Sequence, residues 1–87
     1  MDSDLTARVI AEIASVKRIS TENITVDSTF DELAIDSLDA TNLLFSLEEE
    51  FGVSIPDAEA RQIRNVRGAV EQVERLLAEK AKAESRS

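Results

Sequence analysis

The chain has 87 residues, no cysteine and no histidine, and 18 acidic against 10 basic side chains, a formal net charge of −8. That length supports one small domain with a single core. Without Cys or His there is no disulfide, no thiolate or imidazole metal site and no Ser-His-Asp or Cys-His catalytic arrangement, and the negative balance disfavours nucleic acid as a partner.

The first predicted helix covers about Asp4 to Lys17. Leu5, Val9, Ile13 and Val16 recur at steps of four, four and three, which puts them on one stripe. Ser3 is placed to cap it, Asp4 suits its positive end, and Lys17 with Arg18 suit its negative end. Met1-Asp2-Ser3-Asp4 is acidic and opens no continuous apolar core, so no secretory signal is read there. No stretch approaches the ~20 apolar residues of a membrane span. The expectation is a cytoplasmic monomer without membrane insertion.

Ile19 to Ile35 shows neither helical nor strand periodicity and is rich in Ser, Thr, Asn and Asp, which favour turns. A loop of this length in a compact domain needs anchors. Ile24, Val26, Phe30 and Leu33 supply them, with Phe30 and Leu33 spaced for a short helical turn at the end of the bundle. The second helix is predicted from Asp36 or Ser37 to Phe51. Asp36 caps it, Asp39 adds charge in its first turn, and Gly52 stops it. Leu43, Leu47 and Phe51 form its buried stripe, with Leu44 beside them, while Glu48, Glu49 and Glu50 point mostly outward.

Val53 to Pro56 reads as an extended linker, because Pro56 biases Ile55 away from helix. A short third helix follows over Asp57 to about Ile63. Asn65 then caps a fourth over about Val66 to Lys80, whose stripe is Val66, Val70, Val73 and Leu77. The domain is taken as residues 1–80, and 81–87 as a disordered tail. Three substantial helices, one short third helix and no strand pattern predict an all-α four-helix bundle.

Charge is unevenly distributed along this plan. Eleven acidic residues and no Lys or Arg fall between Ile19 and Ala60, leaving seven acidic and ten basic residues elsewhere. The negative field therefore surrounds Ser37 and steers basic partners to it. Ser37 has two readings: a helix-capping serine, or a hydroxyl displayed for modification. The sequence offers it no base, so it is a poor nucleophile alone. An attached anion would sit beside the N–H groups of a helix start.

Asp36-Ser37-Leu38-Asp39, then Leu47-Glu48-Glu49-Glu50-Phe51-Gly52, then Ile55-Pro56-Asp57, closely resembles the acyl carrier protein family. Thr29-Phe30-Asp31-Glu32-Leu33 is similar to that family's preceding loop, and the likeness runs from about Leu5 to Leu77. The resemblance implies a covalent 4'-phosphopantetheine on Ser37, installed from coenzyme A by a phosphopantetheinyl transferase with help from Asp36. It implies a non-catalytic carrier of acyl thioesters whose acidic helix docks on basic patches of acyl-processing enzymes. Leu38, Asp39, Thr41, Asn42, Phe45, Glu48 and Glu49 are the docking residues expected on this basis. An interior including Leu47, Ile55, Ile63, Val66 and Leu77 is expected to shelter part of the acyl chain.

Several residues depart from the family pattern. Ala34 replaces a frequent Gly, Thr41-Asn42 replaces a common Val-Glu, and Phe45 stands where Met is often found. These changes suggest a dedicated carrier for lipid, polyketide or other specialised acyl metabolism; drift in a fatty-acid carrier is the alternative. An aminoacyl or peptidyl carrier and an unmodified acidic interaction module are the other two readings. Arg61, Arg64 and Arg67 read either as charge balance for Asp57, Glu59 or the second helix's acids, or as a partner-selectivity element. Asp27, Thr29 and Asp31 begin like a calcium loop, but Glu32 and Leu38 occupy the positions that need Gly and Glu. No metal site is expected.

Overall fold

The computed structural model describes residues 3–85. Four helices follow in chain order: α1 (Ser3–Lys17), α2 (Ser37–Phe51), α3 (Asp57–Ala60) and α4 (Val66–Ser85). The all-α bundle expected from the sequence is present, and among the described residues the only strand-like feature is a bridge between Thr29 and Asn65. Residue 3 already lies inside α1; capping by the Ser3 side chain falls outside the described residues, as do Met1 and Asp2.

The predicted stripes build the core. Leu5, Val9 and Ile13 of α1 cluster with Leu43, Leu47 and Phe51 of α2 and with Val66, Ala69, Val70 and Val73 of α4, joined by Ile24 and Ile55. Val9, Ile13, Leu47, Val66, Val70 and Val73 are essentially sealed from water. Each such side chain contributes roughly 1.5–3 kcal/mol through burial, so three amphipathic faces suffice to hold a chain with few aromatics.

The connection from Ile19 to Ile35 is ordered by what it packs and bonds to. A 3-10 turn at Thr21–Asn23, capped by Ser20, interrupts the predicted loop. Ile24 is buried, and Phe30, Leu33 and Ile35 pack against the core. The segment is also stitched to the start of α4. Phe30 N–H donates to Arg64 O (2.9 Å), Val66 N–H to Ser28 O (3.0 Å) and Arg67 N–H to Val26 O (3.0 Å). Thr29 and Glu32 cap the Phe30–Leu33 turn reciprocally: Thr29 N–H donates to Glu32 Oε1 (2.9 Å) and Glu32 N–H to Thr29 Oγ1 (3.1 Å).

Two helix ends differ from expectation. α3 stops at Ala60 instead of near Ile63, because Gln62 and Ile63 close three-residue bonds to Glu59 and Ala60 that tighten the chain out of α geometry. α4 runs to Ser85, past the predicted Lys80 and into the expected tail. Its apolar stripe has ended by then, but Ala, Lys and Glu are strong helix formers without packing. Arg86 and Ser87 lie outside the described residues. Asn65 caps α4 as predicted, with Gly68 N–H on its Oδ1 at 2.7 Å.

Candidate functional site

Ser37 is the first residue of α2, directly after the cap Asp36, which holds an extended backbone. Asp36 Oδ1 accepts the Asp39 N–H at 2.8 Å, and Asp39 Oδ2 receives the Asp36 N–H at 3.5 Å, closing a capping box. Asp36 thus takes the capping work, and the exposed Ser37 hydroxyl is left without a partner among the described residues. The capping reading of Ser37 is thereby displaced by its neighbour.

Asp39 is engaged further. Lys17, at the end of α1, places Nζ 2.8 Å from Asp39 Oδ2 and 2.9 Å from Ala34 O. Hydrogen bonding from Lys17, aided by the Asp36 N–H against partial desolvation, holds the Asp39 carboxyl below its ordinary range. One ammonium therefore ties together α1, the preceding loop and the first turn of α2. Ala34 sits in the left-handed region at φ 56°, which accounts for glycine being favourable at that position.

Ser37 also opens onto a cleft of about 400 Å³ between α2 and the α3–α4 junction. Its floor is apolar, formed by Phe30, Leu43, Leu44, Leu47 and Ile63, and Asp57 and Arg61 bring the charges to its lining. Of the five interior residues expected to shelter a chain, Leu47 and Ile63 line this cleft. Ile55 and Val66 are packed into the core, and Leu77 is half-buried elsewhere. Phe30 and Leu44 were not expected in this role; burial on the second side of α2 was the signal for Leu44.

The residues expected to dock partners divide in two. Leu38 and Phe45 are 70% and 58% exposed, large apolar side chains that the core does not use. With Asn42 and Glu49 they fall at steps of four, three and four on one stripe of α2, with Thr41 alongside. Thr41 Oγ1 donates to Ser37 O at 2.9 Å. Glu48 departs from the outward position expected of it: its Oε2 turns back to accept the Ile55 N–H at 2.7 Å, because the Val53–Pro56 linker leaves that buried donor without a ladder partner. Glu50 reaches Arg8 at 2.9 Å, and the Arg8 guanidinium lies 4.5 Å from the centre of the Phe51 ring. Arg67 balances Asp27 at 2.8 Å, and Glu59 is paired with Arg75, so neither belongs to the charge balance first expected around α3.

Residues 7–73 match the family described as phosphopantetheine attachment site. The chain is 39% identical over 69 residues to the acyl carrier protein of Treponema denticola, covering 78% of this chain and 88% of that one. The chain belongs to the acyl carrier protein family. It is also 42% identical over 62 residues to the mitochondrial acyl carrier protein of Dictyostelium discoideum, covering 71% of this chain and 52% of the relative, so it spans about half of that relative's length. In fold it is similar to the crystal structure of an acyl carrier protein from Thermotoga maritima, with a TM-score of 0.72 at 27% identity over 91% of this chain and 98% of that one.

The site's geometry fits the group that names this acyl carrier family. A phosphopantetheine arm needs an accessible hydroxyl, tolerance of an anion and a place for its cargo. Ser37 is exposed, it stands at a helix start, and an apolar cleft adjoins it.

Proposed function

We propose that this chain is a carrier of acyl intermediates, with covalent 4'-phosphopantetheine attached to Ser37 Oγ through a phosphodiester. The observation that carries the proposal is the unpartnered Ser37 hydroxyl at the rim of the apolar cleft. The arm supplies the thiol on which acyl groups are held as thioesters. The first-turn N–H groups of α2 stabilise an attached phosphate by roughly 0.3–1 kcal/mol.

No side chain among the described residues is hydrogen-bonded to the Ser37 hydroxyl to activate it, so attachment requires a separate phosphopantetheinyl transferase using coenzyme A. Asp36 assists that transfer: only its Oδ1 is engaged in capping, which leaves Oδ2 for the transferase. The chain's own work is to present and to shelter. Leu44, Leu47 and Ile63 cover part of the acyl chain, and the stripe of Leu38, Asn42, Phe45 and Glu49, flanked by Thr41, docks on acyl-processing enzymes. Apolar contact comes from Leu38 and Phe45, and attraction to a basic patch comes from Glu49. Asp39 and Glu48 support this face through the bonds they make inside the domain.

The altered face at Thr41, Asn42 and Phe45 favours partners in a specialised lipid or polyketide pathway over those of housekeeping fatty-acid synthesis. We place this monomeric carrier in the cytoplasm; no helix among the described residues is long and apolar enough to cross a membrane.

Intact-protein mass spectrometry after incubation with coenzyme A, magnesium and a broad-specificity transferase tests the reading. Wild type gains a single phosphopantetheine and Ser37→Ala gains none. Addition that survives Ser37→Ala moves the attachment elsewhere, and no addition to wild type leaves an unmodified acidic module.

A further inference from the structure

Arg61 is an isolated positive charge in the acidic surroundings of Ser37. It lines the same cleft as Ser37, exposed, at the end of α3, where its N–H is fixed to Asp57 O at 3.0 Å. Four other cations are occupied, Lys17 by Asp39, Arg67 by Asp27, Arg8 by Glu50 and Arg75 by Glu59 and Glu79, and neither they nor Arg18, Arg64, Lys80 or Lys82 line the cleft. Arg61 has no ion pair among the described residues, and it contributes the sole basic side chain to the cleft lining.

We propose that Arg61 is an anion-binding residue of this cleft, holding a negatively charged oxygen carried on the arm: the phosphodiester itself or a carboxylate on the acyl cargo. The proposal rests on Ser37 being the attachment point. A guanidinium presents paired donors that match the oxygens of carboxylate and phosphate, which a lone ammonium does not. The apolar floor beside it, including Leu44 and Ile63, lowers the local dielectric and strengthens the pairing. Elsewhere around Ser37 an anion meets Asp36 and Asp39. Asp57 lines the cleft as well and opposes an anion there. The two charges therefore act with opposite sign on one ligand, which gives the proposal its control.

The experiment follows the Arg61 Nε–H by NMR in apo, phosphopantetheinylated, hexanoyl and adipoyl forms, each verified as loaded at Ser37 by mass spectrometry. Hexanoyl and adipoyl match in length and differ by a terminal carboxylate. If the phosphodiester is bound, the signal shifts and its exchange with water slows severalfold as soon as the arm is attached. If the cargo carboxylate is bound, this happens only in the adipoyl form, whose melting midpoint then exceeds that of the hexanoyl form. Arg61→Gln abolishes the midpoint difference and Asp57→Asn enlarges it. An Arg61 signal unchanged from apo through adipoyl overturns the proposal while leaving attachment at Ser37 intact. Failure to load Ser37 overturns both.

Discussion

At the amino end of α2, Asp36 and Asp39 cap the backbone, and Lys17 binds Asp39 to the carbonyl of Ala34. At the carboxy end, Glu48 holds the Ile55 N–H and Glu50 pairs with Arg8, while Glu49 between them has no partner among the described residues. Acids that look equivalent in a charge count thus divide into those that fasten the helix to its neighbours and one that is free to meet a partner. The amino end is fastened by groups that leave a hydroxyl exposed. The carboxy end is fastened by groups that hold a linker in place. A helix tied at both ends keeps its intervening stripe rigid, which lowers the ordering cost of docking through it.

The largest effect should separate neighbouring glutamates. Glu48→Ala strips a buried N–H of a charged acceptor and should cost about 2 kcal/mol. Glu49→Ala should stay within about 0.5 kcal/mol. Urea unfolding of both variants checks this, and equal losses would end the distinction between fastening and free acids. Glu49→Lys should instead weaken docking on a basic enzyme partner, most strongly at low salt.

Gly52 tests the carboxy end by its backbone. It closes α2 at φ 62°, and a β-carbon there would stand 2.9 Å from Lys80 Nζ, which donates to Gly52 O. The lysine tip can move, so the penalty is mainly conformational. Gly52→Ala should lose about 1 kcal/mol in denaturant titrations, with Ser37 still loaded at the wild-type rate.

What could be read in advance follows from the range of the forces involved. The three stripes were legible because burial imposes the helical period on residues such as Val9, Leu47 and Val70. Ser37 was legible because its cap and acidic flanks adjoin it in sequence. Lys17 was read only as a charge suited to a helix end; its partner Asp39 lies 22 positions away, and no local pattern announces that pair. Glu48 was misplaced for the same reason, since its role depends on where Pro56 turns the linker. The Thr29–Glu32 cap is different, as a Thr and a Glu three positions apart are a recognisable signature. The cleft needed coordinates, because it gathers short stretches of the loop, α2, α3 and α4.

Ala34→Gly should act in the opposite direction at the amino end. Glycine removes the left-handed penalty at φ 56° but adds freedom to the unfolded chain, leaving a net gain of about 0.5 kcal/mol by denaturant titration. No gain would mean that the Lys17 bond to Ala34 O already offsets the strain.

The smallest effect concerns pH and tests whether the Lys17–Asp39 contact works as a charge pair. The carboxyl of Asp39 titrates below its ordinary range in the folded state, chiefly through Lys17. Its contribution is complete above the unfolded carboxyl's range and is lost as pH falls through the lower folded value. Glu32, held down by the Thr29 N–H, changes with the same sign. Glu12 opposes both: partial burial, then the nearby Glu50, raise its carboxyl, so its contribution is greatest in acid and fades as pH rises. Asp39→Asn keeps an oxygen for the Asp36 N–H but removes the charge. Its stability deficit against wild type should therefore be largest near neutrality and close as pH falls. Lys17→Met should show the same narrowing, and the double variant should lose less than the two single losses added together. A deficit independent of pH would reduce Lys17 to a packing residue and leave the amino end of α2 held by its capping box alone.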